Sequence, residues 1–186
     1  PRLVLALAGH CNLIRHIADA HLQQALARSP FCEIAIDLGL DPGIARTGYG
    51  LIEETAGAPT LLRCGCLTTP PGGDIADRLV TLGQDLTTLL TQIKPEQAVV
   101  ESIFFGTNST TAMATAQARG VLLYILRRHH IPIQALTPLQ IKSRLTGSGR
   151  ATKHQMQRVV MQRLHLSIAP SPDDAADALA AALSYT

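Results

Sequence analysis

The sequence has no tryptophan, and aromatic residues make up only 3% of its 186 residues. Because 46% of the residues are nevertheless hydrophobic, a globular core is expected, built mainly from Leu, Ile, Val and Ala. No apolar run approaches the roughly 18 residues that a membrane-spanning helix requires. The length suits one domain with a sizeable core.

Cysteine is also scarce, and the spacing of the four cysteines matches neither a zinc ribbon nor a redox motif. Cys64 and Cys66 would lie on one face of a predicted strand, as small core residues. A chain without a disulfide framework is typical of a reducing compartment. We therefore expect a cytoplasmic protein.

Acidic residues are absent from positions 102–172, although the chain carries 14 of them. The lysines and arginines in this stretch are Arg119, Arg127, Arg128, Lys142, Arg144, Arg150, Lys153, Arg158 and Arg163. Such a stretch indicates a polyanion partner, nucleic acid above all. It is also compatible with a solvated surface whose counter-charges lie elsewhere in the fold, and charge alone leaves both interpretations open.

Hydrophobic periodicity and turn residues predict an α/β chain with the order βββαβαβααα. The predicted strands are 34–40, 48–53, 60–69, 97–101 and 131–136, and the predicted helices are 74–93, 109–128, 138–145, 152–164 and 172–185. Three strands joined by short turns form a meander, and the later strands should be parallel to the first because helices separate them. This order predicts a ribonuclease H-like fold, with a mixed five-stranded sheet flanked by helices.

Two acidic residues follow apolar runs at the ends of predicted strands. Asp41 ends the first predicted strand and Glu101 ends the fourth. In open α/β sheets the functional crevice lies beyond the carboxyl ends of the strands. Asp41 alone could be an ordinary turn residue ahead of Pro42 and Gly43, whereas Glu101 is not a common turn former.

The last predicted helix begins with a cluster of acids. Ser171 is expected as its N-cap and Pro172 as its first residue, so Asp173 and Asp174 would suit the helix start. A role at the helix start does not explain Asp177, which lies further along the helix among apolar residues. Because Asp177 shares a face with both Asp173 and Asp174, helix periodicity cannot choose between the two pairs.

Two strand-end acids and two helix acids predict a hard, oxygen-rich metal site. Mg²⁺ prefers carboxylate ligands and keeps waters for a substrate, and Mn²⁺ is expected to substitute for it. Two such ions about 4 Å apart can activate a water and stabilise the leaving oxygen of a phosphodiester. The acid-free basic stretch would then hold the DNA backbone.

Five motifs, in order, resemble those of the RuvC family of Holliday junction resolvases. They lie at 39–43 with 47–50, at 101–105 with Asn108, at 117–120, at 138–142 and at 174–180, and together they cover residues 33–186. The resemblance implies a Mg²⁺-dependent endonuclease that resolves four-way junctions in homologous recombination and DNA repair. It also implies a homodimer that works with the RuvA–RuvB branch-migration complex.

The resemblance also assigns residues. It places the catalytic, metal-binding carboxylates at Asp41, Glu101, Asp174 and Asp177, and the catalytic lysines at Lys142 and Lys153. The expected DNA contacts are Phe104, Asn108, Arg119, Lys142, Arg150 and Lys153, with Phe104 as the junction-contacting aromatic. Asp173 is left to electrostatics at the helix start, and Asp37 is expected outside the site.

The family begins just before the first strand, so the resemblance divides the chain into an N-terminal extension of unknown role at 1–30 and a nuclease domain at 31–186. A helix is predicted at 12–27 in the extension. The sequence leaves three other functions open. An actin-like or sugar-kinase-like phosphotransferase would need a second nucleotide-binding half. The second alternative is a ribonuclease H-like nuclease that acts on RNA–DNA hybrid. The third is a non-catalytic DNA-binding relative.

Overall fold

The computed structural model describes residues 35–55, 58–103 and 109–185. The predicted helix at 12–27 and the residues Phe104 and Asn108 lie outside the described residues. The strands are β1 (Ala35–Asp41), β2 (Arg46–Thr55), β3 (Ala58–Thr68), β4 (Gln97–Glu101) and β5 (Ile133–Leu136). The helices are α1 (Ile75–Ile93), α2 (Ser109–Arg128), α3 (Pro138–Thr146), α4 (Lys153–Arg163) and α5 (Asp173–Leu183).

The strands form one mixed sheet with the order β3-β2-β1-β4-β5. β2 is antiparallel to both β1 and β3, while β4 is parallel to β1 and to β5. The predicted ribonuclease H-like α/β arrangement is therefore confirmed. Because Leu40 pairs with Val100 in parallel register, Asp41 and Glu101 leave the sheet side by side at the same edge.

Each face of the sheet carries its own core. On one face, α1 and α2 pack Leu82, Leu86 and Leu122 against Leu38 and Leu40. On the other face, α3, α4 and α5 form a second core whose buried members include Ile52, Val99, Ile141, Val160 and Leu179. Among the described helices, none combines the length and the apolar character needed to cross a bilayer.

Helix α5 lies directly on the middle of the sheet, and glycine makes this possible. A Cβ at Gly48 would overlap the carbonyl oxygen of Asp174, and one at Gly39 would overlap that of Ala178. The facing residues of α5 are small, and Ala175, Ala178 and the others through Leu183 are mostly buried. This close approach of two backbones fixes the first turn of α5 beside the end of β1.

The start of α5 differs from the prediction by one residue. Pro172 has an extended backbone (φ −71°, ψ 175°) and is the N-cap residue, with no side-chain cap hydrogen bond, so the expectation of Ser171 as N-cap was wrong. The Pro172 carbonyl accepts the N–H of Ala175 at 2.9 Å. Asp173 and Asp174 are consequently the first two residues of the helix, where negative charge is favourable.

Candidate active site

A cleft of about 250 Å³ lies where the ends of β1 and β4 meet α3, α4 and α5. The lining residues are Asp41, Glu101, Pro138, Ile141, Lys142, Lys153, Met156, Asp177 and Ala180. Four of them form an apolar wall, and the other five are three carboxylates and two lysines. The structure thus brings together five of the residues that the sequence predicted for the site.

The two strand-end acids are partly withdrawn from water. Burial raises the pKa of Asp41 to about 7, with further contributions from the negative charges of Asp177 and Asp174. Burial also raises the pKa of Glu101 to about 7, and the charges of Asp41 and Asp177 add to it. Because these carboxylates repel each other across a confined space, a cation between them would relieve the repulsion.

Lysines partly balance this negative charge. Lys142 lowers the pKa of Glu101, and Lys153 lowers those of Asp41 and Asp177, although burial still leaves all three pKa values raised. The Nζ of Lys153 lies 3.4 Å from Asp177 Oδ2, and it also lies 3.1 Å from the Oδ2 of Asp173. Lys153 therefore bridges the rim of the cleft and its interior.

The acids of α5 differ in their surroundings. The side chain of Asp173 is 66% exposed, against 39% for Asp177 and 26% for Asp174. Asp174 does not line the cleft but forms an ion pair with Arg46, whose Nε lies 2.9 Å from Asp174 Oδ2. That oxygen has no hydrogen-bond partner, so the contact is an ion pair without hydrogen-bond geometry.

The donor set of the site fits a hard divalent cation. All four predicted ligands are carboxylates, and Asp41, Glu101 and Asp177 have pKa values raised by burial and by neighbouring negative charges. Within the described ranges, however, no three side chains of His, Cys, Asp or Glu are gathered closely enough to hold an ion as they stand. Asp174, the fourth predicted ligand, pairs with Arg46 and does not line the cleft in this structure.

The predicted DNA-contacting residues are placed differently from the cleft residues. Arg119 on α2 donates a hydrogen bond from Nε to the carbonyl oxygen of Glu101 at 3.0 Å, which ties α2 to the end of β4. Arg150 is exposed between α3 and α4 and does not line the cleft. Arg119 thus helps to fix the strand end that carries Glu101, a role that the sequence did not predict.

Asp37 lies at the other end of β1. Its side chain is buried, with 1% relative exposure, and its Oδ1 accepts a hydrogen bond from Gln97 Nε2 at 2.7 Å. Burial raises its pKa. Asp37 does not line the cleft.

The model of the crossover junction endodeoxyribonuclease RuvC family matches residues 37–185. The chain belongs to the RuvC family. The RuvC protein of Prochlorococcus marinus (strain MIT 9313) is 47% identical over 147 residues, which are 79% of this chain and 95% of that protein. The RuvC protein of Roseiflexus sp. (strain RS-1) is 46% identical over 149 residues, 80% of this chain and 89% of that protein.

Solved RuvC structures have the same fold. The structure of Thermus thermophilus RuvC in complex with Holliday junction substrate has a TM-score of 0.76 at 31% identity, covering 81% of this chain and 92% of that one. The yeast mitochondrial Holliday junction resolvase Ydc2 shares the fold, with a TM-score of 0.63 at 16% identity. That comparison covers 90% of this chain and 83% of the yeast chain. These comparisons confirm the family resemblance.

Sequence reasoning missed one charged residue beside the predicted acids of α5. Arg46 begins β2, close after the turn that follows Asp41, and lies outside the basic stretch at 102–172. The available signal was its position, because the residues after a functional strand end face the same crevice. The apolar wall was also missed, since Ile141 and Met156 read as ordinary core residues.

Proposed function

We propose that this RuvC-family chain is a structure-selective endonuclease that resolves Holliday junctions by metal-dependent phosphodiester hydrolysis, during homologous recombination and DNA repair in the cytoplasm. The observation that carries the proposal is the cleft in which Asp41, Glu101 and Asp177 meet Lys142 and Lys153. We assign the activity to the nuclease domain at 31–186 and leave residues 1–30 as an extension without a role in catalysis.

In this proposal Asp41, Glu101, Asp174 and Asp177 hold Mg²⁺, with two ions per site and Mn²⁺ as an alternative. When bound, such ions activate a water and stabilise the leaving oxygen of a phosphodiester. The protein supplies the rigid frame, because Asp41 and Glu101 sit on paired strands and α5 is locked on the sheet by Gly39 and Gly48. The apolar wall limits water at one side of the carboxylates.

The basic groups have separate tasks in this proposal. Lys142 and Lys153 line the cleft and stabilise negative charge on the reacting phosphoryl group. The exposed Arg150 contacts the phosphate backbone of the junction arms, where it contributes to affinity. Phe104 and Asn108 remain proposed junction contacts, on the basis of the family resemblance. Arg119 acts on DNA through the strand end that it holds.

The decisive experiment is cleavage of a synthetic four-way junction by the full chain. Linear duplex and RNA–DNA hybrid of the same sequence serve as competing substrates, each with Mg²⁺ and with EDTA. We expect Mg²⁺-dependent, paired incisions in the junction only. Cleavage of the hybrid in preference to the junction would instead support a ribonuclease H-like activity, and cleavage in EDTA would contradict the metal-dependent mechanism.

Alanine at Lys142 or Lys153 is expected to slow cleavage at saturating enzyme by about tenfold or more, because each lysine lies beside the carboxylates and not on a remote surface. Single-turnover rates with Mg²⁺ measure this effect. The matched control is Lys94→Ala, because Lys94 caps the C-terminus of α1 near the starts of β1 and β4, away from the strand ends that carry the acids. If the mutants lose only junction affinity and keep the saturated rate, both lysines are backbone contacts outside the reaction.

The homodimer that the family resemblance implies would need an apolar surface. A groove between α1 and α2 is lined by Leu79, Val80, Val121, Tyr124 and Ile125, and Val80 and Tyr124 are 57% and 60% exposed. An exposed apolar patch of this kind is typical of an interaction surface. We propose that a second copy of the chain covers it through a two-fold interface, since such an interface uses the same patch on both subunits.

Glutamate at Tyr124 is expected to convert the dimer to a monomer, because it would place two charges near the two-fold axis of an apolar interface. Light scattering after gel filtration distinguishes the 19.8 kDa monomer from a dimer of about twice that mass. Tyr185→Glu, which changes a tyrosine that is 48% exposed but lies outside the groove, is the control. A dimeric Tyr124→Glu protein would place the interface elsewhere.

We also propose that the enzyme acts together with RuvA and RuvB on the junction. A shared complex is tested by adding the purified chain to a junction preloaded with RuvA and RuvB, and by measuring both co-migration and the cleavage rate. A chain that neither co-migrates with the preloaded junction nor cleaves it at a changed rate would contradict this partnership.

A further inference from the structure

Arg46 is the charged residue nearest to Asp174 that the catalytic proposal does not use. Its Nε lies 2.9 Å from Asp174 Oδ2, and its side chain is 57% exposed. The same carboxylate oxygen makes no hydrogen bond. Arg46 therefore neutralises Asp174 from the solvent side, without the directed bonding that would fix the pair in one geometry.

The local structure holds Arg46 in this place. The Thr47 hydroxyl donates to the Gly43 carbonyl at 2.7 Å, and the Thr69 N–H donates to the Ala45 carbonyl at 3.2 Å, so the chain on both sides of the turn is anchored. Strand alternation puts Arg46 on the same face as Gly48, on which the backbone of Asp174 rests. The arginine is thus aimed at the first turn of α5.

We propose that Arg46 is a positioning residue that competes with the divalent ion for Asp174 and turns to a phosphate of the junction once the ion is bound. This inference rests on the proposed function, since it takes Asp174 as a metal ligand. The ion would replace Arg46 as the partner of Asp174, so the buried Oδ2 keeps a positive neighbour when the exposed arginine side chain turns away. Its planar guanidinium can then bind a phosphate through two parallel hydrogen bonds.

Competition of this kind predicts opposite changes in two affinities. Without Arg46, Asp174 is free for the ion, so Arg46→Ala should bind Mn²⁺ roughly two- to fivefold more tightly than the wild type in the absence of DNA. The same variant should bind the junction more weakly when Ca²⁺ replaces Mg²⁺ to hold cleavage back. The plot of log affinity against log salt concentration should become less steep, by the amount that corresponds to about one lost phosphate contact.

The test is titration calorimetry of the full chain with Mn²⁺ alone, followed by junction binding over a range of salt concentrations with Ca²⁺ and with EDTA. Arg46→Lys keeps the charge and should keep the wild-type ion affinity, but it should lose part of the junction affinity because lysine lacks the planar fork. Lys94→Ala removes one positive charge at the opposite edge of the sheet and should change neither affinity.

The outcomes separate the two levels of inference. If the wild type binds Mn²⁺ and cleaves the junction, but Arg46→Ala binds Mn²⁺ with unchanged or weaker affinity, the competition is overturned and the proposed function stands. If Arg46→Ala weakens junction binding equally in Ca²⁺ and EDTA, the exchange of partners is overturned. A wild type that neither binds Mn²⁺ nor cleaves would overturn the proposed function, and the role of Arg46 with it.

Discussion

Replacing Asp41 with asparagine is expected to reduce junction cleavage by at least about a thousandfold while junction binding is retained, because metal ions supply several kcal/mol of transition-state stabilisation. Asp41 lies in the cleft at the end of β1, beside Glu101 and near Asp177. Asparagine keeps the size of the side chain but removes the charge that holds a cation. Phosphate would also meet less negative charge, so binding should not weaken.

The measurement pairs single-turnover cleavage in Mg²⁺ with junction binding in Ca²⁺. Asp37→Asn is the matched control, since Asp37 is a buried carboxyl on the same strand that does not line the cleft. Its hydrogen bond from Gln97 can be accepted by the asparagine oxygen. Cleavage by Asp41→Asn within a few-fold of the wild-type rate would remove Asp41 from the metal site.

The same substitution should stabilise the fold in the absence of divalent ions. The pKa of Asp41 is raised from 3.8 to about 7, chiefly by burial, so the native state holds a proton that the unfolded chain releases between these pH values. The stability of the wild type therefore falls as pH rises through this window. At pH 8 with EDTA, Asp41→Asn should gain on the order of 2 kcal/mol, and near pH 4 the gain should vanish.

Much of this site could be predicted because the chain order sets the geometry. An apolar run followed by an acid marks a strand end, and helices between strands make the later strands parallel to β1. Those two facts predict that Asp41 and Glu101 lie side by side at the carboxyl ends of their strands. The parallel pairing of Leu40 with Val100 agrees with this prediction. The close approach of α5 to the glycines of β1 and β2 could be identified only in three dimensions, because these segments lie far apart in the chain.

What the sequence could not supply depends on contacts between distant segments. The ion pair joins Arg46 with Asp174, which lies 128 positions later in the chain, and no local sequence pattern predicts it. The hydrogen bond from Arg119 to the Glu101 carbonyl is of the same kind. The exposed Tyr124 has the spacing of an ordinary helix residue, and only the packing of α1 against α2 shows that it lies in an apolar groove.

The three acids of α5 are expected to respond very differently to replacement by asparagine. Asp177→Asn and Asp174→Asn should each nearly eliminate cleavage, whereas Asp173→Asn should cost no more than a few-fold. Asp177 lines the cleft, and its charge raises the pKa of both strand-end acids. Asp174 also raises the pKa of Asp41, which places its charge near the same centre.

Asp173 is the outlier because it faces Lys153 across the rim, with a side chain 66% exposed and its Oδ2 3.1 Å from the lysine Nζ. Its loss would leave Lys153 with Asp177 as its remaining acidic partner, which is 3.4 Å away. Any effect of Asp173→Asn should therefore disappear when Lys153 is already alanine, since it acts through the lysine.

Cleavage assays at saturating Mg²⁺ on the three single variants and on this double variant measure both claims. An inactive Asp173→Asn beside an active Asp174→Asn would mean that the ligands on α5 are Asp173 and Asp177, which are four residues apart, and that Arg46 holds a carboxylate outside the site.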